Sequence, residues 1–391
     1  PTPSIAGTVY LADGVTPYTT ASTMNVLVNG VSDGTGVVSI VNGTYSIALS
    51  ATPAVDDVIT VYIDGAADDG VTVTLHSGAL SLTGINVTID ALTVRSETAT
   101  AVTDAHLNTA NDADADITAI YADGATLTTA AGKDLNLNAG DTFAPTGGVV
   151  IDGDMTAGGT YTPTLTTAIT GDLSITAGGV TTPSGNMTVG GDFSNLGTFT
   201  AGAPALSEAG DFTNDATGVF TSGTGSVEFN GTGTQTVTTN GDALNNVENK
   251  NTTAVVSLGS ALSVSGTYNN DDGAVLSLNG SNFSVTGAFT NGDTATNTTA
   301  EIRLIGTETV TLTSGQDIDS GTFRYVGNNG APTLVVNIAD FGATDYYRLV
   351  LAPTDFTDIF RIAGASLTVV DDLNTTSTFE PQTKTVTIGG D

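Results

Sequence analysis

The chain has 391 residues with 41 acidic against eight basic side chains, a formal charge of −33, yet only 13% of its residues are charged. The cations Lys133, Lys250, Lys384, Arg95, Arg303, Arg324, Arg348 and Arg361 are scattered, and neutralising phosphates needs clustered ones, so nucleic acid is not an expected partner. No apolar run approaches the roughly 20 residues of a spanning helix, so no membrane span is expected.

With 39% apolar residues and short Val/Ile/Leu/Phe alternations along almost the whole length, a packed core is expected rather than disorder. Good helix formers are scarce, and the Gly, Thr, Val and Asn in their place favour strands and tight turns, which makes the chain all-β. There is no cysteine, so no disulfide holds the fold. The first residue is Pro1 rather than Met, the expectation for a mature secreted protein or an excised fragment.

Residues 1–94 read as a β-sandwich. Its expected strands are Ile5–Leu11, Met24–Val28, Gly36–Val41, Thr44–Leu49, Val58–Ile63, Val71–Leu75 and Ile85–Val94, separated by hairpin dipeptides at Asp13-Gly14, Asn29-Gly30, Asn42-Gly43 and Asp64-Gly65. The succession Gly7-Thr8-Val9-Tyr10, Asn42-Gly43-Thr44-Tyr45 and Asp57-Val58-Ile59-Thr60-Val61-Tyr62 resembles the carboxypeptidase-regulatory-like and related immunoglobulin-like modules of surface proteins. Residues 95–116 are the least strand-like and read as a connector, with one helical turn near Asp104–Leu107.

From residue 117 to 391 a short repeat takes over. Gly-Asp-apolar recurs at Gly153-Asp154-Met155, Gly171-Asp172-Leu173, Gly191-Asp192-Phe193 and Gly210-Asp211-Phe212, in steps of 18, 20 and 19 residues. A period near 19–21 that keeps residue type without helical periodicity fits one coil of a right-handed parallel β-helix, with successive coils about 4.8 Å apart and like residues in ladders. Met155, Leu173, Phe193 and Phe212 are expected to form one such ladder. A longer repeat aligns Ser226–Val237 with Glu301–Val310, and Gly259–Val264 with Gly364–Val369. From about residue 150 the pattern resembles the tandem β-helix repeats of bacterial and archaeal surface proteins, the filamentous-haemagglutinin-like adhesin and fibre type. That resemblance implies an extracellular or cell-surface structural or adhesive role.

β-Helices also carry polysaccharide lyases and glycosidases, which need an Arg or Lys base beside carboxylates, or two carboxylates about 5–9.5 Å apart. The file of Asp154, Asp172 and Asp192 would supply carboxylates, but an identical Gly-Asp in every coil is better explained as turn chemistry, each Asp capping its own corner. Arg303, Arg324 and Arg361 are read as surface or ion-paired residues, His76 and His106 as surface histidines. No catalytic residue or cofactor is assigned, and the chain is not expected to be an enzyme.

Calcium is the one metal candidate. Asp112, Asp114, Asp116, Thr118 and Asp123 follow the spacing of a calcium loop, although Ile117 stands where its sharp turn wants Gly, and a solvated acidic linker is the competing reading. Glycosylation sequons begin at Asn42, Asn86, Asn186, Asn230, Asn251, Asn279, Asn282, Asn297 and Asn374.

The function expected is a structural subunit of a surface filament or coat, self-assembling head to tail into a homopolymer. The alternatives are a glycan-binding adhesin and a β-helix lyase or glycosidase. Strand addition would use Ile5, Val9 and Leu11 at one end, and Ile388 and Asp391 at the other, where Thr387-Ile388-Gly389-Gly390-Asp391 repeats the motif of Thr188-Val189-Gly190-Gly191-Asp192.

Overall fold

The computed structural model describes residues 2–111, 114–292, 299–328, 330, 332–353 and 357–390. The chain divides into two compact units, Pro1–Pro204 with Thr217–Val219, and Ala205–Ala216 with Phe220–Asp391.

The first unit begins with nine strands, β1 Ser4–Tyr10, β2 Thr23–Val28, β3 Val31–Val37, β4 Thr44–Ala48, β5 Val55–Asp64, β6 Val71–Ser77, β7 Ser81–Leu82, β8 Val87–Thr88 and β9 Ala91–Val94. One layer sets β4 antiparallel to β1 and pairs β1 in parallel with β7 and β8. The other runs β3-β2-β5-β6-β9. Both layers feed one core, in which Ile5, Val9, Ile47 and Val87 meet Met24, Val26, Ile59 and Val61, all without exposed surface. At about 25 cal/mol per Å² of apolar surface, each such side chain contributes on the order of 2 kcal/mol.

Two of the expected strands are drawn differently. The segment expected at Gly36–Val41 is β3, beginning at Val31, because Asn29 and Gly30 both take positive φ and close a two-residue hairpin directly onto it. The single strand expected over Ile85–Val94 is two: Asp90 takes φ 61°, so β8 stays with β1 while β9 crosses to β6.

The described residues of 95–116 carry two helices. Helix α1, Asp104–Ala110, starts at a capping box between Thr103 and His106, and a short α2, Ala115–Thr118, follows. Both lie on β5: Thr60 donates to the Ala110 carbonyl at 3.0 Å and the Tyr62 hydroxyl to Asp114 at 3.1 Å. Leu107, Ala110 and Ile117 are buried there.

β9 also pairs in parallel with Asp134–Leu137, so one sandwich layer continues into the first face of a parallel β-solenoid. On that face Leu135, Met155, Leu173 and Phe193 stand in register and fully buried. The second face stacks Phe143, Tyr161, Thr181 and Phe199, and the third Leu127, Val149, Thr167 and Met187. The ladder expected from Met155 through Phe193 is therefore present; Phe212 belongs to the second unit.

The second unit is also a parallel solenoid. Val256, Leu276, Ile302, Phe323, Leu349 and Leu373 form one inward ladder, and Leu206, Val227, Val247, Tyr268 and Phe289 another. Tyr268 and Phe289 stack with centroids 5.8 Å apart and planes 11° from parallel. The longer sequence repeat does not map face onto face: Ser226–Phe229 and Glu301–Leu304 belong to different sheets. Strands of every face share the same inward and outward alternation, so their similarity reports strand type and not position.

Candidate functional site

The aspartate file is built differently from the expectation. Each carboxylate caps the next coil instead of its own corner: Asp134 accepts the N–H of Asp154 at 2.8 Å, Asp154 that of Asp172 at 2.8 Å, and Asp172 that of Asp192 at 2.7 Å, with sequence separations of 20, 18 and 20. The glycine of each motif follows from this. A β-carbon on Gly153, Gly171 or Gly191 would collide with Oδ1 of Asp134, Asp154 or Asp172. Asp134, which lies outside the Gly-Asp pattern because Lys133 stands in the glycine position, opens the file, and burial raises its pKa above the ordinary carboxylate value.

Seven of the eight cations meet carboxylates, and Lys384 meets main-chain carbonyls. Glu301, only 9% exposed, holds Arg303 and Arg324 at 2.7 Å each, and these two arginines are in register on adjacent coils. Arg361 meets Glu380 at 2.9 Å, Arg348 meets Asp371 at 2.5 Å and Arg95 meets Glu97 at 2.5 Å. Lys133 pairs with Asp90. Lys250 lies 3.1 Å from Glu228 and 3.0 Å from Glu248, and its hydrogen bond to Glu248 raises its pKa. Lys384 donates to the carbonyls of Ile362, Ala363 and Gly364.

A polar ladder not anticipated from sequence runs inside the second unit. Asn249 donates to Asn270 at 2.8 Å and Asn270 to Asn291 at 2.9 Å, all three essentially without exposed surface. The signal was present as Asn recurring every 21 residues at inward strand positions.

Of the calcium candidates, Asp112 lies outside the described residues. Asp114 caps α2 by accepting from the Asp116 N–H at 2.9 Å, Asp116 accepts from the Gly65 N–H at 2.7 Å, and Thr118 donates to the Asp114 carbonyl at 3.0 Å. A helical turn thus occupies the space of the expected loop. Asp123 stands apart from them, close enough to feel the charge of Asp104; burial first, and that charge second, push its pKa up to about 6. Among the described residues no group of three or more His, Cys, Asp or Glu side chains is placed to share a metal ion.

His76 is 1% exposed in β6, with Nδ1 accepting the Gly78 N–H at 2.9 Å, so it is buried and not a surface residue. His106 caps α1. Burial lowers the pKa of both.

Among the sequons, Asn42, Asn186, Asn230, Asn279, Asn282 and Asn374 are exposed and Asn86 is half-buried, while Asn297 lies outside the described residues. Asn251 has no exposed surface and donates to the Gly233 carbonyl at 2.7 Å, leaving no room for a glycan. Of the assembly candidates, Ile5 and Val9 have no exposed surface, and β1 is paired along both edges. Leu11 is 40% and Ile388 41% exposed; Asp391 lies outside the described residues.

Sandwich, ladders and coil-to-coil caps together define the chain as a parallel β-solenoid repeat protein with an N-terminal β-sandwich. No protein-family model, curated protein or solved structure gives a significant match to it.

Proposed function

We propose that the chain is a non-catalytic structural subunit of an extracellular filament or surface coat, of the tandem-repeat adhesin and fibre kind. The observation that carries this reading is that its conspicuous carboxylates and cations serve the fold itself. Asp134, Asp154 and Asp172 hold the next coil, and Glu301 holds Arg303 and Arg324. A lyase needs a free base beside its carboxylates, whereas a solenoid rod needs only that every coil repeat the last. Self-association into a homopolymer belongs to the same proposal. Because β1 is enclosed, it uses preformed surfaces and not donation of the N-terminal strand.

Electron microscopy and light scattering of the intact protein, with incubation against a panel of acidic polysaccharides, test this. Filaments or sheets without release of reducing or unsaturated ends are expected. A monodisperse monomer at every concentration overturns the assembly. Product release abolished by Arg361→Ala or Arg303→Ala overturns the non-catalytic reading.

A further inference from the structure

We propose that a groove between the sandwich and the first coils of the solenoid binds an uncharged oligosaccharide chain. The groove encloses about 540 Å³. Its floor is the outward face of three successive strands, where Thr93, Asn136 and Thr156 stand in register. Its wall is the end of the sandwich, where Tyr10 and Thr88 are register partners.

The polar groups of this floor contrast with the inward-facing asparagines of the second unit. The hydroxyls of Thr88, Thr93 and Thr156 and the carboxamide of Asn136 make no hydrogen bond to the described residues, in contrast to Asn249, Asn270 and Asn291, which satisfy one another. Hydroxyl and carboxamide groups each donate and accept, which is what a sugar hydroxyl requires of its partner. Tyr10 adds an aromatic surface with a polar tip, suited to the apolar face of a pyranose ring.

Spacing and charge narrow the ligand. Adjacent parallel strands lie about 4.8 Å apart, close to the length of one pyranose unit, so a glycan running along the solenoid axis meets one polar side chain per sugar. Asp13, Asp134 and Asp154 outnumber Arg95 along the groove, and Arg95 is itself held by Glu97 at 2.5 Å. An anionic polysaccharide would be repelled; a neutral one would not.

This inference rests on the groove alone and stands independently of polymerisation. The test is calorimetric titration of the intact protein with cellohexaose, maltohexaose, mannohexaose and N-acetylated chitohexaose, with an oligogalacturonate as the anionic probe. Saturable binding of at least one neutral probe is expected. Asn136→Ala and Tyr10→Ala should each weaken it about tenfold, Tyr10→Phe should retain most of it, and Thr188→Ala, on another face, should leave it unchanged. Circular dichroism checks that each variant folds. Failure of every neutral probe at millimolar concentration, indifference to both alanine variants, or tighter binding of the oligogalacturonate would each overturn the proposal.

Discussion

Asp154 accepts the main-chain N–H of Asp172, one coil further on, at 2.8 Å, and the same oxygen fills the space that a β-carbon on Gly171 would take. The two residue types of the motif are therefore one device: the aspartate reaches forward and the glycine makes room for it.

Gly171→Ala should destabilise the protein by about 2 kcal/mol, because the carboxylate must swing away and the Asp172 N–H loses its partner. Asp154→Ala alone should cost about 1 kcal/mol. The double variant should cost less than the two together, since removing the carboxylate relieves the tighter of the methyl group's clashes and leaves only the approach to the Gly153 carbonyl at 2.8 Å. Strict additivity in urea unfolding would contradict the device.

The asparagine ladder predicts a larger effect. Asn270 donates to Asn291 at 2.9 Å and accepts from Asn249 at 2.8 Å, so Asn270→Ala leaves a buried donor and a buried acceptor unsatisfied. A loss of about 3 kcal/mol is expected, with faster amide hydrogen exchange in the strands of Asn249 and Asn291. A loss under about 1 kcal/mol would mean that water enters and replaces the bonds.

Glu301→Gln removes the anion shared by two arginines on adjacent coils and should cost about 2–4 kcal/mol. Adding Arg324→Met to that variant should recover part of the loss, because one uncompensated cation is then gone. An unchanged midpoint for the single variant would show that solvent alone screens the pair.

Asp123 makes stability pH-dependent. Its folded-state pKa of about 6 exceeds the ordinary 3.8, so between these values the folded protein binds more protons than the unfolded chain. Stability should fall as pH rises through that window. The site is half-exposed, so after solvent screening the expected contribution is about 1 kcal/mol. Asp123→Asn should flatten this part of the profile and stabilise the protein at neutral pH; an unchanged slope between pH 4 and 6 would refute the assignment.

The sequence alone determined the kind of architecture. Alternation of period two, the dipeptides Asn29-Gly30 and Asp64-Gly65, and the recurrence of Gly-Asp-apolar are local signals, and each acts through the backbone geometry of its own few residues. The register of Met155, Leu173 and Phe193 followed from that spacing, since one residue of slip would turn each side chain to the opposite face. What the tertiary structure decided were the partners. Asp90 splits an expected strand between two layers because β8 and β9 find different neighbours, and neither neighbour is close in sequence. Asp154 looks in sequence like a cap for its own corner and serves the next coil, and His76, one of only two histidines, is buried. The groove beneath Tyr10 exists only because β9 carries a sandwich layer onward into the solenoid, bringing Thr93, Asn136 and Thr156 into one file. A local pattern records which face of a strand is apolar; what that face meets depends on contacts made across tens of residues, which no short window of sequence contains.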